Sequence, residues 1–322
     1  LYMEGMEKLI PLKKETEEPI DLSVLTQFLN SEKTLTNWNE RMRHYIPGTS
    51  FQISVDSTTI NLDHSSLSYG ISQLPSITWQ FPKDFYGISD IVVLNIIKNN
   101  FGKRPICFAY NNKTSHLIGL SPFLVQQGMV GLLTPVKRNN PSYNPKIVDV
   151  KASYKLLVED AEFPNINTKH LYIRDENRTY AREILRQNYY FLAQALSEEN
   201  RLEESKRVLD TCIQLFPNET VPYLQYAFAI GRLYARIGHA EIGNDICLTA
   251  MNNIWQEVQW MTSFDTPYPI INVRHATKLH NMYAQMIRQL GEFNPTVATQ
   301  KQNELADFNT AFNSWQKTNW PY

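Results

Sequence analysis

The chain reads as an α+β protein in two parts, a small mixed α/β sheet domain followed by an all-α domain of tetratricopeptide-like helical hairpins. Three observations predict this. Short alternating segments bounded by Pro and Gly crowd the first half. Long amphipathic segments dominate from Glu176 to Trp315. At 322 residues the chain is too long for one small domain and suits two, at roughly 100–200 residues each. Composition sets the boundaries: a linker at 1–19, the α/β domain at 20–150, a connecting segment at 151–175 and the helical domain at 176–322.

Taken in order, residues 1–19 are charged and end in Pro19. Asp21 is placed to cap a short helix with Leu22, Leu25, Phe28 and Leu29 on one face. After the turn "IPGTS" (46–50), "FQISVD" alternates as a strand does, with Phe51, Ile53 and Val55 on one side. "SITWQF" (76–81) alternates in the same way between Pro75 and Pro82. Ser89 and Asp90 start a helix carrying Ile91, Leu94, Ile96 and Ile97, and Gly102 stops it. The β-branched run "IVVLNII" leaves a strand open there, but length and caps favour the helix. "PICFAY" (105–110) reads as a buried strand, with Ile106, Cys107, Phe108 and Ala109 between layers. "SPFLVQQG" (121–128) reads as a helix with Pro early and Gly at its end, and "MVGLLTPV" (129–136) as a strand. That succession of helix and strand suggests an α/β layer with some parallel pairing. "KRNNPSYNPK" (137–146) is a hinge or surface loop.

The helical half repeats. In "NYYFLAQALSEENRLEESKRVLDTCIQLFP" the tetratricopeptide aromatic falls on Tyr189 and the Leu-small pair on Leu192 and Ala193. The small contact positions fall on Ser205 and Cys212, and the closing proline on Pro217. A second copy places Ile230-Gly231, Tyr234, Gly238, Gly243 and Ala250 at the corresponding points. Small residues are needed because the paired helices cross closely. Segments near 269–290 and 296–316 complete a third, degenerate pair.

Several function classes find no support. Hydrophobic residues at 43% and charged residues at 20% describe a globular chain, and a net charge of −1 carries no signal for nucleic acid or an anionic membrane. Apolar runs fall far below the ~18 residues that span a bilayer, so direct membrane insertion by this segment is not expected. The start "MEKLIPLKKETEEP" is no signal peptide, and a chain beginning without Met reads as an excised piece. Cys107, Cys212 and Cys247 form no CxxC pair; a Cys212–Cys247 bridge and three buried thiols are the two readings. No phosphate-binding glycine loop, nucleophile elbow or zinc-binding HExxH is present. His275 and His280, five apart, do not share a helix face, and Asp160/Glu162 and Asp175/Glu176 lack an accompanying base. No catalytic residue, metal or cofactor is therefore expected, and catalysis by this chain alone is improbable.

Two surfaces are candidates for binding. First helices of such hairpins line a concave wall, here carrying Gln187, Tyr190, Gln194, Gln225, Arg232 and Arg236. Amides and guanidinium groups suit an extended peptide and Tyr190 adds a flat apolar contact; a plain solvated face is the competing reading. Arg104 offers either an anion contact or a surface ion pair. Trp255, Trp260, Trp315 and Trp320 suit sugar stacking, an interface or helix anchoring, the last being the commoner use.

The blocks "YIPGTSFQISVD", "SDIVVLNIIKNNFGKRPICFA", "GLSPFLVQQGMVGLLTPV" and "LAQALSEENRLEESKRVLDTCIQLFPNE" occur in this order. Together they resemble the C-terminal soluble region of a Bacteroidetes family of multi-pass membrane proteins. That family, domain of unknown function 2723, is similar to protein O-mannosyltransferases of the GT-C type. The resemblance covers about residues 40–260, and Cys107 stands where members usually carry an aromatic. It implies a parent enzyme that transfers sugar from a lipid-linked donor, with its acidic catalytic residues in loops between membrane helices. This chain then corresponds to a periplasmic appendage at the inner membrane, with no catalytic residue to carry over. Its expected partners are a protein or peptide, with the acceptor as a candidate, and the membrane-embedded region of its own parent. The alternatives are a free-standing tetratricopeptide adaptor and a small-molecule enzyme in the α/β half.

Overall fold

The computed structural model describes residues 9–38, 40–55, 71–109, 117–138, 146–163, 181–264 and 270–319. The chain divides into two units, Leu1–Leu156 and Leu157–Tyr322. In chain order the first holds β1 (Leu9–Pro11), β2 (Ile20–Asp21), α1 (Leu25–Asn30), β3 (Leu35–Trp38), β4 (Arg41–His44), β5 (Ser50–Ser54) and β6 (Ile71–Gln73). There follow β7 (Ser76–Gln80), β8 (Phe85–Gly87), α2 (Ile88–Asn100), β9 (Cys107–Ala109), β10 (Leu124–Gln127), β11 (Val130–Leu133), β12 (Val136–Arg138), β13 (Ile147–Val148) and α3 (Val150–Tyr154). The strands form small mixed sheets, ordered β13–β10–β11–β9 and β2–β5–β7, with the pairs β1–β8, β12–β6 and β3–β4. Pairing is antiparallel except between β2 and β5 and between β10 and β13.

Period-two alternation builds the core of this unit. Phe51 faces Trp79 and Ile53 faces Ile77 across β5 and β7, and Phe51, Ile77 and Trp79 are buried. The Phe51 ring meets Trp79 and Tyr86 at centroid separations of 5.8 Å each. Helix α2 lays Leu94 and Ile97 on this cluster. Its start is fixed by Asp90, whose carboxylate accepts from the Gly87 N–H at 2.9 Å while Lys83 Nζ donates to both oxygens at 2.9 Å. Gly102, with φ of 79°, ends it, so the β-branched run is a helix as its caps suggested. Asp21 likewise caps the turn that leads into α1, accepting from Ser23 N at 2.7 Å.

Three local expectations are corrected. Leu9–Pro11 is a strand paired with Phe85–Gly87, where charge density suggested linker; apolar "LIP" outweighs the charges that follow it. "SPFLVQQG" is not a helix: a 3-10 turn at Ser121–Phe123 leads directly into β10. Pairing with β11 overrides the helix-start signals, and Gly128, with φ of 59°, opens the two-residue hairpin loop between the two strands. Cys107 is exposed, not buried. It lies on β9, the edge strand of its sheet, so Ile106 and Phe108 turn toward the core and Cys107 and Ala109 away from it.

The second unit is helical. Its hairpins are α4 (Arg186–Glu198) with α5 (Leu202–Leu215), α6 (Gln225–Arg236) with α7 (Ala240–Thr262), and α8 (Ile270–Leu290) with α9 (Pro295–Asn319). The small positions do what the repeat requires. Ser205 Oγ donates to the Ala193 carbonyl at 2.7 Å across the first hairpin. In the second, a Cβ on Gly231 would sit 2.6 Å from Cys247 Sγ and 2.7 Å from the Gly243 carbonyl oxygen. A Cβ on Gly243 would strike the backbone of Gly231 and Ala235. Aromatic packing ties the third hairpin to the second: Trp255 stacks on Tyr283 at 4.9 Å and meets Phe308 edge-on at 4.8 Å.

Because backbone rather than a flexible side chain fills the space at Gly243, Gly243→Ala is expected to destabilise the helical unit by about 1–3 kcal/mol. Urea unfolding followed by far-ultraviolet circular dichroism checks this; unchanged stability would show that the crossing can widen freely.

Candidate binding surface

The first helices of two successive hairpins bring part of the anticipated wall together. Gln187 on α4 donates through Nε2 to the Tyr226 hydroxyl on α6 at 2.5 Å. The Tyr190 and Tyr226 rings lie 6.4 Å apart. Burial, with Glu183 and Tyr190 nearby, pushes the Tyr226 phenol up to about 12, so it is neutral and serves as a hydrogen-bonding group. Gln187 and Tyr190 are half-buried, and Gln225 and Arg236 are exposed. The result is an amide–aromatic patch of Gln187, Tyr190 and Tyr226, with Gln225 at the start of α6 and Arg236 at that helix's far end.

Other members depart from the anticipated wall. Gln194 is buried, at 7% exposure, and donates to Glu198 Oε1 at 3.0 Å along its own helix. It belongs to the packing of α4 and is not an open contact. Arg232 pairs with Glu292, in the turn after α8, at 2.5 Å. It ties the second hairpin to the third before it can meet a ligand. Arg104 stands in the first unit, exposed in the turn before β9, and makes no ion pair among the described residues.

Sequence reasoning missed the principal buried polar group of the unit. Arg186, the first residue of α4, is fully buried. Its guanidinium donates to the carbonyls of Phe216 at 2.6 Å, Val221 at 2.5 Å and Pro222 at 2.9 Å, and lies 4.8 Å over the Tyr223 ring. These groups form the turn between α5 and α6. A signal was available: Arg186 precedes Tyr189 by three and Ala193 by seven, which places it on the buried face.

Both candidate histidines and Trp315 have structural partners. His275 faces Glu257 at 3.1 Å, and His280 contacts Asn309 Oδ1 at 2.8 Å while stacking on Phe312 at 4.1 Å. Trp315 Nε1 donates to the Phe264 carbonyl at 3.4 Å, and Trp260 is 61% exposed. Asp160 and Glu162 are exposed, whereas Asp175, Glu176 and Trp320 lie outside the described residues. Cys212 and Cys247 are buried and free, so no bridge joins them. Burial pushes both thiols up to about 12, and it also raises that of Cys107, less completely covered. Among the described residues no group of three or more His, Cys, Asp or Glu is placed to hold a metal, and no helix is long and apolar enough to cross a membrane.

A family model described as TMEM260-associated domain 2 matches residues 1–152. The match ends within α3, so the chain's first unit is what resembles that domain, and the helical hairpins lie beyond it. Neither the curated proteins nor the solved structures gave a significant match.

Arg186→Met is expected to cost about 3–5 kcal/mol, since three carbonyls lose their donor in a buried site. Arg186→Lys restores only part of that, because a compact ammonium lacks the planar fork; equal thermal stability of the Lys variant and the wild type would refute the clamp. Brief N-ethylmaleimide treatment of the native chain at neutral pH is expected to modify Cys107 alone, with Cys212 and Cys247 following only after denaturation. Peptide mass spectrometry reads the sites.

Proposed function

We propose that this chain is a non-catalytic accessory region of a membrane-embedded glycosyltransferase that uses a lipid-linked sugar donor. Its helical hairpins engage an acceptor protein or a partner on the periplasmic side of the inner membrane. The observation that carries the reading is the match of residues 1–152 to TMEM260-associated domain 2. The ordered sequence blocks that resemble domain of unknown function 2723 extend the same reading into the helical unit.

The contact would be made by Gln187, Tyr190 and Tyr226, with Gln225 and Arg236 of α6 as further contacts along the wall. Neutral amide and phenol groups hydrogen-bond the backbone of an extended peptide without demanding one side-chain sequence. The rings add stacking area at low conformational cost, as paratope tyrosines do. Such a surface tolerates varied acceptors, which suits a region that presents substrates to a catalytic centre elsewhere.

Deletion of residues 180–320 from the parent protein, expressed in its native cells, is expected to lower acceptor glycosylation while the parent's abundance is held. Unchanged glycosylation at unchanged abundance would sink the proposal. A Tyr190→Ala/Tyr226→Ala variant gives the finer test, since loss of glycosylation there locates the contact on the wall.

A further inference from the structure

Helix α2, "ISDIVVLNIIKNN", is apolar on two faces. One face buries Leu94 and Ile97 in the sheet core. On the other, Ile88, Val92 and Ile96 are 52%, 51% and 47% exposed, and Phe85 just ahead of the helix is 41% exposed. A spacing of four aligns the three into one stripe. Local structure does not explain the choice, because β-branched residues are poor helix formers where packing does not select them. A helix that is apolar all round is normally covered all round.

Charge is distributed unevenly along the same helix. Its only acid, Asp90, is buried and paired with Lys83. The exposed polar residues beside the stripe, Asn95 and Asn99, are neutral. Just past the C-terminal end, Lys103 and Arg104 are both exposed. An apolar stripe with cations beyond one end is complementary to a surface that is apolar beneath and anionic on top.

Area separates the candidate occupants. A 13-residue helix is about 20 Å long at 1.5 Å per residue. A stripe of that length and about 10 Å wide covers on the order of 200 Å², against roughly 800 Å² per partner in a standard stable protein interface. It is too small to hold a second copy of the chain. Lipid surfaces, in contrast, take narrow apolar stripes combined with a few basic residues.

We propose that α2 rests on an anionic lipid surface, with Ile88, Val92 and Ile96 entering the boundary between headgroups and acyl chains and Lys103 and Arg104 meeting lipid phosphates. This is a peripheral contact, distinct from spanning. It stands independently of the binding wall, since it uses different residues in a different unit.

Co-sedimentation of the 322-residue chain with vesicles tests it, comparing pure phosphatidylcholine with phosphatidylcholine containing one third phosphatidylglycerol. The chain is expected to pellet with the anionic vesicles and much less with the neutral ones. Val92→Gln/Ile96→Gln is expected to reduce binding on the order of tenfold. Lys103→Gln/Arg104→Gln is expected to reduce it about fivefold per charge, and high salt is expected to mimic that loss. Both pairs are exposed, and circular dichroism confirms that the variants fold. Three outcomes overturn the proposal: no pelleting above the vesicle-free control, equal pelleting of the Val92→Gln/Ile96→Gln variant, or a concentration-dependent dimer abolished by that variant without vesicle binding.

Discussion

Arg186 brings a full charge to the start of the first helical hairpin and spends its donors on the turn that joins that hairpin to the next. Burying a guanidinium costs several kcal/mol, and the cost is offset only where its donors are met in good geometry. Here the Phe216, Val221 and Pro222 carbonyls and the face of Tyr223 meet them. Phe216 closes α5, so the cation also sits at the negative end of a helix dipole. The second side of the turn is held by Asn253 of α7, which donates to Asn218 Oδ1 at 2.7 Å and to the Tyr223 carbonyl at 3.0 Å. One turn is thereby gripped from both hairpins, and the spacing of α4 against α6 follows from it.

The proposed binding wall depends on that spacing. Gln187, next to Arg186 in sequence, reaches Tyr226 only because α6 is held at hydrogen-bonding distance. Inside each hairpin the approach is set by small residues instead: Ser205 against Ala193 in the first, Gly231 against Gly243 in the second. Cys212 and Cys247 belong to the same logic. They are small apolar groups at crossings, and burial keeps them as thiols. In the first two hairpins duties separate: small residues set distance within each, and buried polar groups set distance between them, whereas aromatic packing holds the third to the second.

The two units carry different kinds of information. Residues 1–152 supply the likeness to TMEM260-associated domain 2, whereas the surface proposed for peptide contact lies in the helices outside that match. Within the first unit, the exposed side of α2 is an apolar stripe left over after core formation, ending near two cations. A region with one surface for protein and another for lipid would be well suited to work beside a membrane-embedded enzyme.

Periodicity made much of this legible before any coordinates. The alternation of β5 and β7, the caps of α2 at Asp90 and Gly102, and the hairpin repeat with its small positions all depend on neighbours within a few residues, so the chain alone determined them. The strand at Leu9–Pro11, the β10–β11 hairpin in place of a helix and the outward turn of Cys107 did not follow, because each depends on a partner strand distant in sequence. A strand's burial is set by whether it lies at the centre or the edge of its sheet, and local pattern is silent on that. The candidate wall divided along the same line. Helical spacing nominated Gln187, Tyr190, Gln194, Gln225, Arg232 and Arg236 as candidates, but it could not see that Gln194 is packed inside or that Arg232 is taken by Glu292. Nor could composition reveal Arg186 as a buried clamp, since its three carbonyl partners lie 30 or more residues away and carry no side-chain signature. Local chemistry determined the β5–β7 alternation, the caps of α2 and the helical hairpins; only the tertiary structure decided which strands find partners and which polar groups are taken up in packing, because strand pairing and the satisfaction of a buried charge are properties of the assembled fold.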